Sequence, residues 1–178
     1  MYRELLIGCG SSREKRIHCP VEGGHLWSNL MTLDNNPDHK PDILWDLEKL
    51  PLPFPTDYFD EIHAYEVLEH TGQQGDWRFF FDQFTEFHRI LKPDGLFMAT
   101  VPHYLSMWAW GDPSHKRVIA SGSLVFLSQE EYRKQVGKTP MSDFRFYYKA
   151  DFAILHSQEN PDTMFFILKA LKKDLPGT

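Results

Sequence analysis

ELLIGCGSS, residues Glu4–Ser12, is the most informative segment of the sequence, because an apolar run breaks there into a loop of small residues. Three apolar residues in succession, Leu5, Leu6 and Ile7, are typical of a strand buried on both faces of a parallel sheet. Gly8 and Gly10 allow the backbone to turn sharply and to approach a ligand closely, because glycine has no Cβ. The stretch therefore predicts a nucleotide-type pocket at the carboxyl end of the first strand.

The residues after this loop indicate which nucleotide the pocket would take. Arg13 stands where a dinucleotide-binding loop requires a third small residue, and no Gly-Lys-Ser or Gly-Lys-Thr follows. Both observations disfavour a pyrophosphate or triphosphate ligand. The remaining ligands are nucleosides without a phosphate that the loop backbone approaches closely, and S-adenosylmethionine fits this description. The alternative for a single Gly-x-Gly is a plain tight turn.

Composition limits the class of protein. The 178 residues are enough for one domain over residues 1–178 with a sizeable core, and a 42% share of hydrophobic residues is that of a globular chain. The net charge of -6 argues against nucleic acid or an anionic membrane as a partner, although Lys116 and Arg117 add local positive charge. Cys9 and Cys19 form no Cys-x-x-Cys pair, so we expect no disulfide framework and no metal knuckle. With no apolar run long enough for a signal peptide or membrane span, a cytoplasmic location is expected.

Two further predicted strands end in acidic residues. The stretch LMTLD, residues Leu30–Asp34, places a carboxylate where it can accept hydrogen bonds from both ribose hydroxyls, and Asn35 follows it. The stretch DILWDL, residues 42–47, places Asp46 where it can bond an adenine amino group and Leu47 where it can cover the ring. The alternative for each acid is a turn-forming role. The crossover from residue 11 to 29 shows no clear helix, because Pro20 and two adjacent glycines interrupt it.

The middle of the chain contains the clearest helix. Aromatic and aliphatic residues recur at spacings of three and four from Trp77 to Leu91, Asp76 is a plausible N-cap, and KPDG at 92–95 predicts a turn. A fourth strand is predicted at 58–65 and a fifth at 96–101. The other predicted elements are an extended segment at 121–126, a short helix at 128–136, and two strands at 144–157 and 163–172 that form a hairpin.

Five segments in this order resemble one family. They are LLIGCG, LDNNP, DLEKLPLPF, FDEIHAYEVLEH and HRILKPDGLFMATVPH, and they span about residues 4–103. Together they resemble the class I S-adenosylmethionine-dependent methyltransferases, and within them the small bacterial branch often called type 11. The resemblance implies an α/β, Rossmann-like fold with a mostly parallel seven-stranded sheet, helices on both faces and an antiparallel C-terminal hairpin.

The resemblance also implies which residues bind S-adenosylmethionine. The methionine part would lie against Gly8, Cys9 and Gly10, the ribose on Asp34 and the adenine on Asp46 and Leu47. Tyr65 and Glu66 would lie beside the reactive methyl group. Many family members have an acid shortly before the first glycine that meets the methionine amine, whereas this chain has Leu6 and Ile7 there, so another partner is needed.

The loop after the fifth strand is the expected place for substrate chemistry. It contains Pro-His-Tyr at 102–104 and WAWGDPSHKR at 108–117. Because a sulfonium methyl is already activated, the protein has to align the acceptor and supply a general base. The candidates, in order, are His103, His115, Asp112 and His70. The alternative is a loop held together by buried hydrogen bonds of these same side chains.

Three functions follow from these residues. The first is a methyltransferase acting on a small-molecule or glycan acceptor. The second is a metal-dependent hydrolase or lyase that uses the same histidines and aspartate, although no His-x-x-x-His spacing supports it. The third is a non-catalytic S-adenosylmethionine-binding or structural subunit. The short N-terminus favours a partner subunit or a second copy of the chain that closes the pocket.

Overall fold

The protein is described by a computed structural model that covers residues 1–18 and 26–172. Cys19, Pro20 and the glycine pair at 23–24 therefore lie outside the described residues. Within the described residues, seven strands form one sheet. Their bounds are β1 Glu4–Ile7, β2 Leu30–Asp34, β3 Ile43–Leu44, β4 Phe59–Tyr65, β5 Leu91–Pro102, β6 Phe152–Glu159 and β7 Thr163–Ala170.

The strand order is β3-β2-β1-β4-β5-β7-β6. The first five strands in this order pair in parallel, and β7 pairs antiparallel with both β5 and β6. This topology confirms the predicted sheet and its C-terminal hairpin. Ile7 lies between Leu33 and Ala64 in the register, so the carboxyl ends of β1, β2 and β4 meet at one edge of the sheet.

The helices pack mainly against one face of the sheet. They are α1 Trp77–Ile90, α2 Met107–Gly111, α3 Ser121–Leu124 and α4 Gln129–Gln135. As predicted, Asp76 caps α1 by accepting a hydrogen bond from the Phe79 amide. The helix buries Phe81, Phe84 and Phe87 in the larger core, which also receives side chains of α3 and α4.

The other face has a smaller core. Since successive strand residues point to opposite faces, Leu6 faces away from Leu5 and Ile7, and it packs with Ile17 and Tyr65. Within residues 1–18 and 26–172, no helix covers this side between β1 and β2; irregular segments cover it there. The predicted lack of a clear helix in the first crossover agrees with residues 11–18 and 26–29.

Several predicted boundaries differ from the structure. The third strand shrinks from 42–47 to the two residues of β3, and the strand predicted at 144–157 begins only at Phe152. Residues 121–126 are helical rather than extended, because the Ser123 hydroxyl accepts a hydrogen bond from the Ala120 amide and starts a helical turn. The predicted turn at 92–95 is instead an irregularity within the long strand β5. No helix in the described residues is long and apolar enough to cross a membrane.

Candidate functional site

The loop after β1 turns at two glycines in left-handed conformations. Gly8 has φ 58° and Gly10 has φ 53°. A Cβ on Gly8 would lie 2.2 Å from Val67 Cγ2, so close packing of the loop against the segment after β4 requires glycine there. A Cβ on Gly10 would meet no atom within 4 Å. Gly8 therefore serves packing, whereas Gly10 borders open space.

Asp34, at the end of β2, holds this loop in place. Its buried carboxylate accepts hydrogen bonds from the Gly10 amide at 2.9 Å and the Asn36 amide at 2.8 Å. Burial alone would raise the pKa of Asp34, but these two hydrogen bonds, together with His39 Nδ1 at 3.3 Å from Oδ1, outweigh it and hold the pKa below its ordinary value. Asp34 is thus ionised at neutral pH. Its Oδ1 faces both the Asn36 amide and His39, whereas its Oδ2 accepts only from Gly10 and keeps a lone pair for a further donor.

Two cavities meet at the glycine loop. The first has a volume of about 290 Å³ and reaches toward β3, and the second has a volume of about 410 Å³ and follows the segment after Gly10. Both are lined by Gly8, Gly10 and Glu66, and we call the combined space the strand-end cleft. The first cavity is also bordered by Asp34, Asn35, Trp45, Asp46, Leu47, Val67 and His70. The second is also bordered by Cys9, Ser11, Ser12, Glu14, Arg16 and Tyr65.

Asp46 and Leu47 lie at the outer end of the first cavity. The exposed carboxylate of Asp46 accepts a hydrogen bond from the Glu48 amide at 2.9 Å, so the turn-capping alternative describes one of its roles. Leu47 is buried in the larger core and presents part of its surface to the cavity. The Trp45 amide donates to the Asp34 carbonyl, which joins this corner to the end of β2.

Tyr65 and Glu66 lie where β4 ends. The Tyr65 hydroxyl accepts hydrogen bonds from the amides of Arg16 and Ile17 at 3.3 and 3.2 Å, and burial raises its pKa to about 12. Tyr65 therefore fastens the segment that follows the glycine loop. Glu66 adopts φ 51° and is half-buried between the two cavities, and burial raises the pKa of its carboxyl.

A family model for a methyltransferase domain matches residues 5–99, which is more than half of the chain. The chain belongs to this methyltransferase family. The match covers the glycine loop, the acid-ended strands and most of β5, and it confirms the resemblance to the type 11 branch. No curated protein sequence matches this methyltransferase domain.

Solved structures share the fold of the methyltransferase domain. An S-adenosylmethionine-dependent methyltransferase from Archaeoglobus fulgidus has a TM-score of 0.56 and 15% identity over 94% of this chain and 86% of that chain. A putative methyltransferase in complex with the Trm112 activator of Haloferax volcanii has a TM-score of 0.59 and 15% identity over 96% and 83%. The N-methyltransferase NodS of Bradyrhizobium japonicum WM9, solved with S-adenosylhomocysteine, has a TM-score of 0.56 and 12% identity over 96% and 79%. At these identities the likeness shows the fold alone.

Three of the four predicted general-base residues of this methyltransferase domain lie together. The rings of His70 and His115 are 4.7 Å apart, and His115 Nε2 lies 3.7 Å from Asp112 Oδ2. His70 also lines the strand-end cleft. Glu69, which the sequence analysis did not select, completes the group: both histidine Nε2 atoms lie 4.0 Å from its Oε1.

His103 belongs to a different environment. Its Nε2 lies 3.4 Å from Glu159 Oε2, and its amide donates to the Asp162 carbonyl, so it contacts the β6–β7 hairpin. It borders neither cavity of the strand-end cleft. The geometry thus favours His70, which borders the cleft, over His103, whereas His115 borders neither cavity and lies against His70.

A buried charged network that the sequence analysis missed supports the second cavity. Lys15 Nζ lies 2.5 Å from Glu4 Oε1 and 3.0 Å from Glu61 Oε2, and all three side chains are at most 1% exposed. Glu61 also contacts His63 Nε2 at 2.9 Å, and His63 Nδ1 lies 2.6 Å from the Tyr65 hydroxyl. Burial lowers the pKa of His63, so the neutral ring donates to Glu61 and accepts from Tyr65. The network connects the strands to the segment after the glycine loop.

The two basic residues considered for nucleic-acid binding are both engaged. Lys116 Nζ pairs with Glu48 Oε1 at 2.7 Å. Arg117 is buried, with Nε donating to the Leu68 carbonyl at 3.0 Å and a terminal nitrogen donating to the Thr71 hydroxyl at 3.0 Å. Neither forms an exposed, unpaired positive patch.

A further, mostly apolar cavity of about 290 Å³ lies between the start of α1 and the segment around Ile119. Its titratable neighbours are Asp76, which caps α1, and Arg117, which is bound to Leu68 and Thr71. Because this cavity is bordered by none of the predicted site residues, the strand-end cleft is the better candidate for the reaction site.

Proposed function

We propose that this domain binds S-adenosylmethionine in the strand-end cleft and transfers its methyl group to a small-molecule or glycan acceptor. The observation that carries the proposal is the contrast at the glycine loop: Gly10 faces open space beside the ionised carboxylate of Asp34. A loop without side chains, next to an acceptor of hydroxyl hydrogen bonds, suits a nucleoside ligand.

The residues present fit S-adenosylmethionine in three parts. The remaining lone pair of Asp34 Oδ2, with Asn35 beside it, suits a ribose hydroxyl. Asp46 and Leu47 offer an exposed carboxylate and an aliphatic surface to the adenine. Gly8, Cys9 and Gly10 line the cavity that leads to Tyr65, where the methionine part would lie. Both cavities have the size of small-molecule sites.

The second cavity also supplies substitutes for the acid that this chain lacks before Gly8. Glu14 and Glu66 border it, and their carboxylates are suitable partners for the methionine ammonium group. Arg16 borders the same cavity and suits the methionine carboxylate. We propose these three residues for the amino-acid end of the ligand.

His70 is the proposed general base. When bound, S-adenosylmethionine supplies a methyl group that its sulfonium has already activated for transfer. The His70 Nδ1 atom lies 3.3 Å from the Ser114 carbonyl, so an Nδ1–H that donates there leaves the Nε2 lone pair to take a proton from the acceptor. The cleft walls hold the acceptor in line and exclude water. His115 and Asp112, next to His70, are the proposed supporting groups.

The segment after β5 supports an acceptor with apolar surfaces. The exposed fractions of Leu105, Met107, Trp108 and Trp110 are 73%, 73%, 60% and 69%. These four side chains lie within six consecutive residues, and large exposed apolar patches mark interaction sites. The same segment continues directly into Asp112 and His115. We therefore place acceptor binding on this side of the cleft.

Calorimetric titration with S-adenosylhomocysteine tests the pocket through two matched glycine variants. Gly10→Ala and Gly137→Ala each place a side chain at a positive φ with no atom within 4 Å of the new Cβ, so each costs about 1–2 kcal/mol of backbone strain. We expect both to unfold at similar temperatures. Only Gly10→Ala should weaken S-adenosylhomocysteine binding, by at least about tenfold, because its Cβ enters the space of the ligand.

Equal affinities of the two glycine variants would place the ligand elsewhere. Release of S-adenosylhomocysteine from S-adenosylmethionine, measured over a panel of small-molecule and glycan acceptors, then separates an enzyme from a non-catalytic binding subunit. His70→Gln should abolish that release while it preserves S-adenosylhomocysteine binding, and retained turnover would rule out His70 as the base.

A further inference from the structure

Glu69, His70 and His115 bring three metal-binding side chains together beside the strand-end cleft. One ligand atom from each lies within 4.8 Å of the others, and both histidine Nε2 atoms are 4.0 Å from Glu69 Oε1. Ligands that surround a metal tetrahedrally at about 2.1 Å lie about 3.4 Å apart. The three side chains therefore have to draw together by about 1 Å around an ion.

The carboxylate of Glu69 is the strongest sign that something positive belongs there. Its side chain is only 3% exposed, and neither oxygen has a hydrogen-bond partner in the part of the chain that the structure describes. Burying a carboxylate without a donor is unfavourable, so such groups in folded proteins are paired, protonated or bound to a metal. Arg117, the nearby cation, donates its hydrogen bonds to Leu68, Thr71 and Gln83 instead.

His70 is held as a metal-binding histidine usually is. Its Nδ1 faces the Ser114 carbonyl at 3.3 Å, and a hydrogen bond from Nδ1–H to a carbonyl leaves Nε2 as the free ligand atom. That Nε2 is the atom turned toward Glu69. The Nδ1 hydrogen bond therefore fixes the orientation of the His70 ring and leaves Nε2 free to bind a metal ion.

The segment with His115 is fastened to Glu69 itself. The amide of Lys116 donates to the Glu69 carbonyl at 2.8 Å, which places His115 opposite the Glu69 side chain. The His115 side chain is 9% exposed. Asp112 Oδ2 lies 3.7 Å from His115 Nε2 and adds a second carboxylate at the outer side of the group.

We propose that Glu69, His70 and His115 bind a divalent transition-metal ion at the edge of the strand-end cleft, with Asp112 on its outer side. Two imidazoles and a carboxylate favour zinc, cobalt, manganese or iron over magnesium and calcium, which prefer oxygen ligands alone. Three protein ligands leave a coordination position open toward the cleft. The ion would take the same Nε2 lone pair of His70 that the proposed general base uses, so a bound ion and proton removal by His70 exclude each other. If the proposed methyl transfer is correct, a bound ion therefore blocks it, and binding of the ion does not depend on the transfer.

The test uses tag-free protein that has been freed of metals with a chelator. We titrate it with Co²⁺ alone, follow the visible absorption bands of the ion, and repeat the titration with Zn²⁺ by calorimetry. The expected result is one ion per chain. Glu69→Gln and His115→Gln should each weaken binding by at least about tenfold. The matched control is His156→Gln, since His156 is exposed on β6, outside the group.

A thermal measurement keeps the test valid if a variant folds poorly. Without metal, Glu69→Gln should unfold at the same temperature as the parent or higher, because it removes a buried carboxylate that lacks a partner. With Zn²⁺, only the parent and His156→Gln should be stabilised. No bound ion, or equal binding in Glu69→Gln and the parent, would overturn the proposal, as would equal weakening in His156→Gln. Binding of S-adenosylhomocysteine to the metal-free protein is scored separately, so failure of the metal site does not count against the proposed function.

Discussion

Replacing Lys15 by methionine tests whether the buried network supports the fold and the cleft. A methionine side chain would keep most of the volume of the lysine and remove its positive charge. The change leaves Glu4 and Glu61, each at most 1% exposed, without the cation that lies 2.5 and 3.0 Å away. At neutral pH both carboxylates would remain buried without that compensating charge.

The size of the effect follows from what each carboxylate keeps. Removing one partner of a buried ion pair typically costs about 3–5 kcal/mol. Glu4 retains hydrogen bonds from the amides of Ser28 and Asn29, and Glu61 retains those from Tyr2 and His63. We therefore expect the lower end, about 3 kcal/mol, which for a chain of this size lowers the unfolding temperature by about 6–12 °C.

Thermal and guanidinium unfolding followed by circular dichroism measure the loss. The control is Lys134→Met, because Lys134 pairs with Glu130 and Glu131 on the surface at 56% exposure and its removal should change little. The difference between the parent and Lys15→Met should shrink as the pH falls, since protonation neutralises the unpaired carboxylates. Binding of S-adenosylhomocysteine should weaken as well, because Lys15 lies in the segment that lines the second cavity.

Two results would refute this reasoning. One is an unfolding temperature of Lys15→Met that matches that of Lys134→Met. The other is a stability difference from the parent that widens on acidification, which would mean that the carboxylates do not carry the unpaired charge.

Three further predictions concern single groups. Tyr65→Phe removes the hydroxyl that accepts hydrogen bonds from two backbone amides, so it should destabilise the fold by about 1–3 kcal/mol and weaken S-adenosylhomocysteine binding. An unchanged calorimetric affinity for S-adenosylhomocysteine would contradict the role of Tyr65 in holding the segment after the glycine loop. Asp34→Asn removes the charge beside Gly10 and should lower that affinity by at least about tenfold, whereas an affinity equal to the parent's would remove Asp34 from the site. Burial would raise the pKa of Glu61, but hydrogen bonds from His63 and its other partners lower the pKa to about 2. The ionised Glu61 therefore stabilises the folded protein by roughly 3 kcal/mol above pH 4.5, and this contribution is lost as the pH falls toward 2. Guanidinium unfolding over this range should show a flatter pH dependence for Glu61→Gln than for the parent, and parallel curves would contradict the assignment.

The regular parts of the fold could be predicted from the sequence because local patterns encode them. The apolar run before Gly8 and the three- and four-residue spacing in α1 each reflect burial on a defined face. The segment at 121–126 was predicted wrongly, since a short helix held by Ser123 and by packing of Leu124 leaves little periodicity to detect. The length of the two-residue strand β3 was overestimated for a similar reason, because alternation of apolar and polar residues does not show where pairing with β2 ends.

The candidate site was harder to predict wherever distant residues cooperate. The acids after β2 and β3 could be selected because they follow strands that end at the same edge of the sheet. The pairing of Lys15 with Glu61 joins parts of the chain that no local pattern connects. Glu69 was overlooked because nothing in the sequence shows that a carboxylate on a short helical turn is buried without a partner.

The position of β7 has a consequence for how the polypeptide matures. This strand follows all the others in sequence, yet it lies inside the sheet, between β5 and β6. Until a ribosome has released residues 163–170, the edge of β5 has no neighbour on that side, and β6 has nothing to join. During translation, the nascent chain therefore exposes an unpaired strand that can aggregate with other chains. Chaperone protection is most valuable in that interval.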